Sequence, residues 1–346
     1  MLVNNTPFSA AVSVLLDAHG QETLVVAVKA AYDWHPDRTL TPTSTPIPLV
    51  TADVFTGAPE ASSLRQANEM TLPKPRVDVI LAGEIVPPHA AEQLDCTLAI
   101  GDQLVKTVRV FGDRHFRLGA LSTAVLSAPR PFTKMPIQWE RSFGGQDPGN
   151  PSTVDRRNPV GRGVRKHAQA LEGQPAPNFE DPRVPLGDPM KGAMPVGLGA
   201  LAPHWKPRCD FAGTFDDAWS RDRFPILPLD FDARFLNAAP ADQQLDRYQP
   251  GAEVRLHNFT RAGRDRFSLP ELAPPVTVVE GRAIFEVVPT VDTIVIEPAT
   301  TRLSVVARAV FVPKDAQELK SVYVGPLTPG QRRALAAGKP YVRLAG

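Results

Sequence analysis

The sequence has few of the residues from which metal sites and disulfide frameworks are built. Among its 346 residues are two cysteines, Cys96 and Cys209, which are far apart and have no CxxC spacing. Such a pair predicts two reduced thiols in a reducing compartment. The seven histidines include no HxH or HExxH pair, so the sequence gives no support for zinc coordination. We therefore expect neither a metal nor another cofactor.

Strong net charge and long apolar runs are missing as well. The 38 basic and 37 acidic residues give a formal net charge of +1, so no bulk field attracts nucleic acid or an acidic membrane. No apolar run reaches the length of a membrane span. The first residues also lack the basic region and apolar core of a secretory leader. These features predict a cytoplasmic protein that binds neither nucleic acid nor membranes.

Familiar catalytic and nucleotide-binding motifs are also missing. The sequence contains no GxSxG, P-loop or GxGxxG pattern. Its glycine-rich pieces, residues 144–145 and 161–163, do not lie between a strand and a helix. We expect these glycines to permit positive φ and close backbone approach instead. The motif content therefore favours a protein that is not an enzyme.

One enzymatic alternative depends on aspartates that cluster between residues 210 and 232. A glycosidase needs two carboxylates that face each other across a sugar, and a hydrolase needs a carboxylate beside a base. Asp216, Asp217 or Asp230 together with His204 would be the candidates. Aspartate in such positions is typical of turns and helix N-caps, and a lone histidine beside a tryptophan is typical of a structural imidazole. We therefore favour structural roles for them.

Proline, in contrast, is abundant and concentrated in the middle of the chain. Of 37 prolines, 18 lie between residues 129 and 250. Proline fixes φ and removes a backbone donor, which excludes long helices and central strands there. The same stretch contains Trp139, Trp205 and Trp219, whereas disordered segments are poor in aromatics. We predict that residues 131–244 form an ordered irregular wrap whose tryptophans are mostly buried. Exposed, coplanar indoles would instead indicate a carbohydrate-binding module.

The two flanks of this stretch show β patterns, with alternating and β-branched residues between turn signals. The strand-like segments are residues 10–32 (a hairpin), 77–84, 93–100, 104–111, 252–259, 277–288, 293–296 and 303–312. Short helices are expected at 316–319 and at 329–337, the latter with Thr328 as N-cap. The fold class is thus mainly β, with a sandwich- or barrel-like sheet scaffold from both chain ends and little helix. We divide the chain into an N-terminal β region (1–128), a proline-rich ordered loop region (129–250) and a C-terminal β region (251–346), and we expect the three to form one integrated unit.

Several blocks of the sequence resemble the DUF2169 family, and they stand in the right order. They are PFTKMPIQWERSFGG, NPVGRG, PHWKPR, GTFDDAW, FPILPLDFD, RFLNAAPADQQ and GAEVRLHNFT. KPRVDVILAGE and VRVFGDR precede these blocks and GPLTPGQRRALAAGKPYVRLAG follows them, so the resemblance covers nearly the whole chain. One departure concerns local packing: residues 305–308 read Val-Val-Ala-Arg, where a tryptophan is expected before Arg308.

The resemblance implies a non-enzymatic adaptor, or chaperone, for effectors of bacterial type VI secretion systems. Such an adaptor binds its cognate toxic effector in the cytoplasm and helps to load it onto the spike, through a PAAR-like tip protein or VgrG. The candidate residues for the shared fold or partner surface are Trp139, Arg141, Arg162, His204, Trp205, Trp219, Arg234 and Gln243. We expect effector specificity outside the matching blocks, in residues 39–69 or 169–194, which are rich in turn-formers.

Overall fold

The computed structural model describes residues 1–120 and 123–338, and strand outweighs helix in them, as predicted. The strands before the proline-rich stretch are β1 (Leu2–Asn4), β2 (Ser9–Leu16), β3 (Glu22–Trp34), β4 (Leu40–Pro42), β5 (Val54–Phe55), β6 (Leu64–Gln66), β7 (Val77–Leu81), β8 (Glu84–Ile85), β9 (Gln93–Ile100), β10 (Leu104–Phe111), β11 (Phe116–Leu118) and β12 (Ala124–Leu126). Within that stretch are β13 (Met135–Pro136), β14 (Phe143–Gly144), β15 (Gln146–Asp147), β16 (Asn150–Val154), β17 (Arg162–Gly163), β18 (Phe179–Glu180) and β19 (Gln244–Leu245). The strands that follow are β20 (Glu253–His257), β21 (Arg264–Ser268), β22 (Val276–Glu280), β23 (Ala283–Val287), β24 (Thr290–Glu297), β25 (Arg302–Phe311) and β26 (Leu319–Val324).

The α-helices are short, and the proline-rich stretch is punctuated by single turns of 3-10 helix. The α-helices are α1 (Asp217–Asp222) and α2 (Pro329–Ala336). The 3-10 helices include Trp139–Arg141, Ala168–Leu171, Pro189–Lys191, Arg208–Phe211, Ala233–Leu236, Ala241–Gln243, Pro298–Thr300 and Ala316–Glu318. Within residues 1–120 and 123–338, no helix has both the length and the apolar character that crossing a membrane requires.

The largest sheet combines strands from both ends of the chain. Its order is β19-β7-β24-β25-β3-β2, and β4 also pairs with β3. The antiparallel pairing of β25 with β3 is long, from Arg302↔Asp33 to Phe311↔Leu24, and β24 runs parallel to β7. The β24–β25 pair from the C-terminal part thus lies between β7 and β3 from the N-terminal part. This arrangement confirms the prediction that the two ends build one β core.

One face of β3 packs against two smaller sheets. Alternate residues of a strand point to the same face, and here the even-numbered residues from Leu24 to Trp34 point inward. The first of them, Leu24, Val26 and Val28, are packed with β22 and β26 of the sheet β1-β26-β22-β23. The later ones, up to Trp34, join the core of the sheet β18-β10-β9-β20-β21. The long β3 strand therefore connects both apolar cores.

On the opposite face of β3, buried ionic contacts bind the chain segment around Glu69 to the sheet. Lys29 Nζ donates to both carboxylate oxygens of Glu69, at 2.8 and 3.0 Å. Arg308, on β25, donates to the backbone oxygen of Glu69 and also pairs with Asp292. The residue before it, Ala307, is fully buried in the main core at the position where the sequence departs from the family pattern. These contacts fasten the connecting segment around residue 69 to the sheet.

The C-terminal helix begins as the sequence predicts. Thr328 accepts a hydrogen bond from the Gln331 backbone, and the Gln331 side chain accepts one from the Thr328 backbone, which forms a capping box. The shorter predicted helix is a 3-10 turn, Ala316–Glu318, which leads directly into β26. The final residues of the block GPLTPGQRRALAAGKPYVRLAG lie outside the described residues.

The two thiols are expected to differ in reactivity. Cys96 is buried in β9 with its sulfur 3.4 Å from the Asn258 backbone oxygen, and burial raises the pKa of this thiol to about 12. Cys209 is only half-buried. Burial raises the pKa of the Cys209 thiol as well, so the contrast rests on access: an aromatic disulfide reagent should modify Cys209 in the native protein and Cys96 only after unfolding in guanidinium. A native Cys209→Ser variant that reacts as fast as the wild type would contradict this expectation.

Candidate functional site

An open cleft with a volume of about 800 Å³ lies where several of the matching blocks meet. Its floor includes Trp139, Lys206 and Pro240, which come from three different blocks. Lys106 of β10 also lines it, and Asp181 to Arg183 with Met194 to Gly197 form one side. The cleft thus joins the shared motifs to the end of the 169–194 stretch.

The eight candidate residues from the sequence fall into three places. Buried at or just behind the cleft floor are Trp139, Trp205 and Gln243. A second polar cluster contains Arg141 and Arg162. At or near the surface lie His204, Trp219 and Arg234.

Lys106 is a buried cation that holds the cleft floor together. Its ammonium donates three hydrogen bonds of 2.8 Å each, to Gly197 O, Asp242 Oδ1 and Gln243 Oε1. Three acceptors satisfy the three donors of an ammonium group. Burial lowers the pKa of Lys106, and the neighbouring Asp242 acts in the opposite direction. Lys106 therefore joins β10 to two segments of the wrap.

Gln243 completes the same network from the other side. Its amide nitrogen donates to Val79 O at 2.8 Å and to Leu198 O at 2.9 Å, while its oxygen accepts from Lys106. The side chain is fully buried, so each of these hydrogen bonds compensates for lost hydration. Gln243 thus secures the wrap to β7 and serves the fold rather than direct contact with a partner.

Two tryptophans pack edge to face behind the cleft floor. The rings of Trp139 and Trp205 have centroids 6.3 Å apart at 89°, and the Trp139 indole nitrogen donates to Ala200 O at 2.9 Å. A Cβ on Gly197 would lie 2.7 Å from the Trp139 ring, so only glycine permits this approach. Trp139 is 5% exposed and Trp205 0%, which confirms the predicted burial for both. The carbohydrate-binding alternative requires a row of exposed indoles, which these two cannot supply.

Arg141 and Arg162 converge on a single amide. They donate to Asn178 Oδ1 at 3.1 and 3.0 Å, and Arg141 also donates to Asp113 Oδ1 at 3.0 Å. Burial acts to raise the pKa of Asp113, but hydrogen bonds from Asn178 and Arg141 outweigh it and the pKa lies below its ordinary value. Asn178 in turn donates to Phe111 O at 3.0 Å. This cluster binds three stretches of the wrap to the end of β10.

The glycines of the matching blocks allow two backbone segments to touch. Gly144 and Gly145 have φ of +138° and +100°, which side chains rarely tolerate. A Cβ on Gly145 would lie 2.3 Å from Gly161 O, and one on Gly161 would lie 2.4 Å from the side-chain nitrogen of Asn158 and 2.8 Å from Ser142 O. The prediction of positive φ is therefore confirmed at Gly144 and Gly145, and the prediction of close backbone approach at Gly145 and Gly161.

His204 lies apart from the aspartates of the hydrolase alternative. Its ring is 6.3 Å from that of Phe55 and 6.0 Å from that of Trp205. Burial lowers the pKa of His204, and the acidic groups that act on it are Glu60 and Asp53. The structure therefore does not bring His204 together with the aspartates between residues 210 and 232.

Those aspartates are engaged in local structure instead. Asp216 caps α1 by accepting from the Trp219 backbone at 2.8 Å, and Asp230 accepts from Thr214. Asp232 holds Arg234 through hydrogen bonds of 2.6 and 2.9 Å. The favoured structural interpretation is confirmed for these three carboxylates.

Sequence reasoning did not identify Lys106 or the side wall formed by Asp181, Arg183 and Met194. A signal for Lys106 was present, however. In β10 the inward positions alternate, and Lys106 is in phase with Leu104 and Val108 on the buried face. A lysine at an inward position of an alternating strand needs buried acceptors, which marks it as part of a polar network.

A comparison with protein families supports the sequence resemblance. The family described as "Uncharacterized protein conserved in bacteria (DUF2169)" matches residues 19–308. No curated protein and no solved structure matches the chain. The matched range includes every residue that lines the cleft. The chain belongs to the DUF2169 family.

Proposed function

We propose that the protein is a non-enzymatic adaptor of a type VI secretion system. It binds a cognate toxic effector in the cytoplasm and helps to load it onto the spike, through a PAAR-like tip protein or VgrG. The cleft is the observation that carries this proposal, since matching blocks supply its floor and the 169–194 stretch supplies one side. A feature that the partners of related adaptors share would bind the floor of the cleft. The feature that distinguishes one effector from another would contact the side.

The chemistry of the cleft suits a protein segment. Apolar residues make up most of the cleft lining, and Val105 and Met194 at its edges are 70% and 68% exposed. An apolar centre with a polar rim is typical of protein interfaces, and methionine adapts to varied partners. The lining carboxylates are already paired, Asp181 with Arg183 at 2.7 Å and Asp242 with Lys106 at 2.8 Å. This pairing favours binding over acid–base chemistry.

A charge at the edge of the cleft should weaken effector binding. Met194→Asp places a carboxylate where we expect apolar contact, and the affinity for an effector encoded beside this gene should fall at least about tenfold. Met190→Asp is the matched control, because Met190 is an exposed methionine of the same stretch that does not line this cleft. Calorimetric titration of the purified proteins measures the effect. Equal affinity of Met194→Asp and wild type would exclude the cleft as the effector site.

Specificity is tested by exchanging segments between related adaptors. Residues 169–194 end at the cleft, whereas residues 39–69 end at Glu69, which is fixed to Lys29 of β3. We expect the 169–194 exchange to transfer effector preference in a pull-down and the 39–69 exchange to have the smaller effect. If both exchanged proteins fold and keep the original preference, specificity lies in neither stretch.

A further inference from the structure

Residues 214–230 form a compact surface loop whose two ends meet. The backbone nitrogen and hydroxyl of Thr214 donate to the Asp230 carboxylate, at 2.9 and 2.7 Å. Within the loop, Asp216 caps α1, and the Trp219 indole nitrogen donates to Ile226 O at 2.8 Å. Loops that are closed and packed in this way are frequently functional.

The loop is also fixed to the turn between β2 and β3. Arg223 donates to Ala18 O in that turn and to Leu227 O within the loop. Ile226 packs closely on Gly20, since a Cβ added to Gly20 would lie 2.6 Å from Cδ1 of Ile226. An ordered loop loses little conformational entropy when a partner binds, which favours affinity.

This fixed loop carries large apolar side chains that face solvent. Phe215, Phe224 and Leu229 are 54%, 68% and 86% exposed. Both phenylalanine rings pack edge to face against Trp219, with centroids 4.7 and 5.6 Å away. Exposed apolar patches mark interaction sites, and aromatic side chains are enriched in the energetically important part of protein interfaces.

The charge around these rings is acidic, although the whole chain carries a formal net charge of +1. The charged residues of the loop are Asp216, Asp217, Asp222, Asp230, Arg221 and Arg223. Arg221 pairs with Asp222 at 2.9 Å, and the Arg223 side chain donates hydrogen bonds to backbone oxygens. The excess carboxylates and the aromatic faces both attract cations.

We propose that this loop docks a protein segment in which lysine or arginine side chains flank apolar residues. The apolar residues cover Phe215, Phe224 and Leu229, and the cations meet the carboxylates and ring faces. Other segments line the cleft, so this docking surface is separate from it and does not depend on the adaptor function.

A random peptide library displayed on phage tests the proposal with the full-length protein as target. Selected peptides should be basic with interspersed apolar residues, and they should bind more weakly at high salt. The double variant Phe215→Ser/Phe224→Ser should reduce the affinity for the synthesised peptides at least about tenfold in fluorescence anisotropy. Val288→Ser is the matched control, because Val288 is an exposed apolar residue that lies in neither the loop nor the cleft.

The folding control is the melting temperature of the double variant, which should fall only slightly because both rings are more than half exposed and lose only their contact with Trp219. If this variant does not fold, Leu229→Ser and Asp217→Asn provide the same test, and each should weaken binding. Acidic or uncharged selected peptides, or equal affinity on the variants, would overturn the proposal. Self-association of wild type that these variants abolish would instead assign the surface to a second copy of this chain. Glycan binding that Trp219→Ala abolishes would assign it to a carbohydrate.

Discussion

Replacing Asp78 with alanine is expected to reduce the free energy of unfolding by about 3–5 kcal/mol. Asp78 is fully buried in β7 and accepts hydrogen bonds from Lys74 Nζ at 2.7 Å, Asn237 Nδ2 at 2.8 Å and the Ala238 backbone at 2.8 Å. The substitution leaves the buried Lys74 ammonium without its counter-ion and removes one of the attachments of the wrap to the sheet. Equilibrium unfolding in guanidinium measures the loss.

Asp246→Ala is the matched control for this substitution. Asp246 pairs with Arg76, which lies two residues before Asp78 in the sequence. Both side chains of that pair are exposed. Exposed pairs contribute little, so the control should change the free energy of unfolding by no more than about 1 kcal/mol. A loss for Asp78→Ala no larger than that for Asp246→Ala would contradict the structural role of the buried pair.

Trp205→Ala should produce a loss of similar size, about 3–5 kcal/mol, because a large ring is removed from a closely packed site. Trp205 is fully buried against Trp139, Ala202 and Ala238. Trp205→Phe retains part of the ring volume and should lose less. Trp219→Ala removes a half-buried ring and should also lose less than Trp205→Ala. An unchanged thermal melt of Trp205→Ala would show that the ring is exposed and would revive the carbohydrate-binding alternative.

Local pattern was sufficient to predict the hairpins. β2 and β3 follow from alternating, β-branched residues around a turn, and β9 and β10 have the predicted bounds of 93–100 and 104–111. The interval 277–288 divides into β22 and β23, because Gly281 turns the chain with a positive φ. Where strand and turn signals lie side by side in the chain, sequence and structure agree.

The strands that were missed depend on distant partners. β1 is three residues long and exists through parallel pairing with β26, more than 300 residues later in the chain. β21 begins Arg-Asp-Arg and alternates too weakly to be recognised, but it pairs with β20 along its whole length. The parallel contact of β24 with β7 likewise leaves no local signal. Tertiary pairing overrides propensity in each of these cases.

The candidate site was likewise predictable only where its signal is local in the sequence. Aromatic rings within a proline-rich stretch indicate buried anchors, and Trp139 and Trp205 are such anchors. The partner of Gln243 could not be predicted, since Lys106 lies 137 residues away in the sequence. The side wall of the cleft comes from a stretch without periodicity, so no pattern indicated that Met194 would face the motif residues.

The adaptor proposal is tested most directly by mixing the purified intact protein with the proteins encoded beside its gene. The proposal expects an effector and a PAAR-like or VgrG component among them, and light scattering after size-exclusion chromatography measures the mass of any complex. We expect a stable complex with the effector or the spike component, and no hydrolytic activity from the protein alone. Elution of the intact protein at its own mass in the presence of each of these proteins would contradict the proposed function.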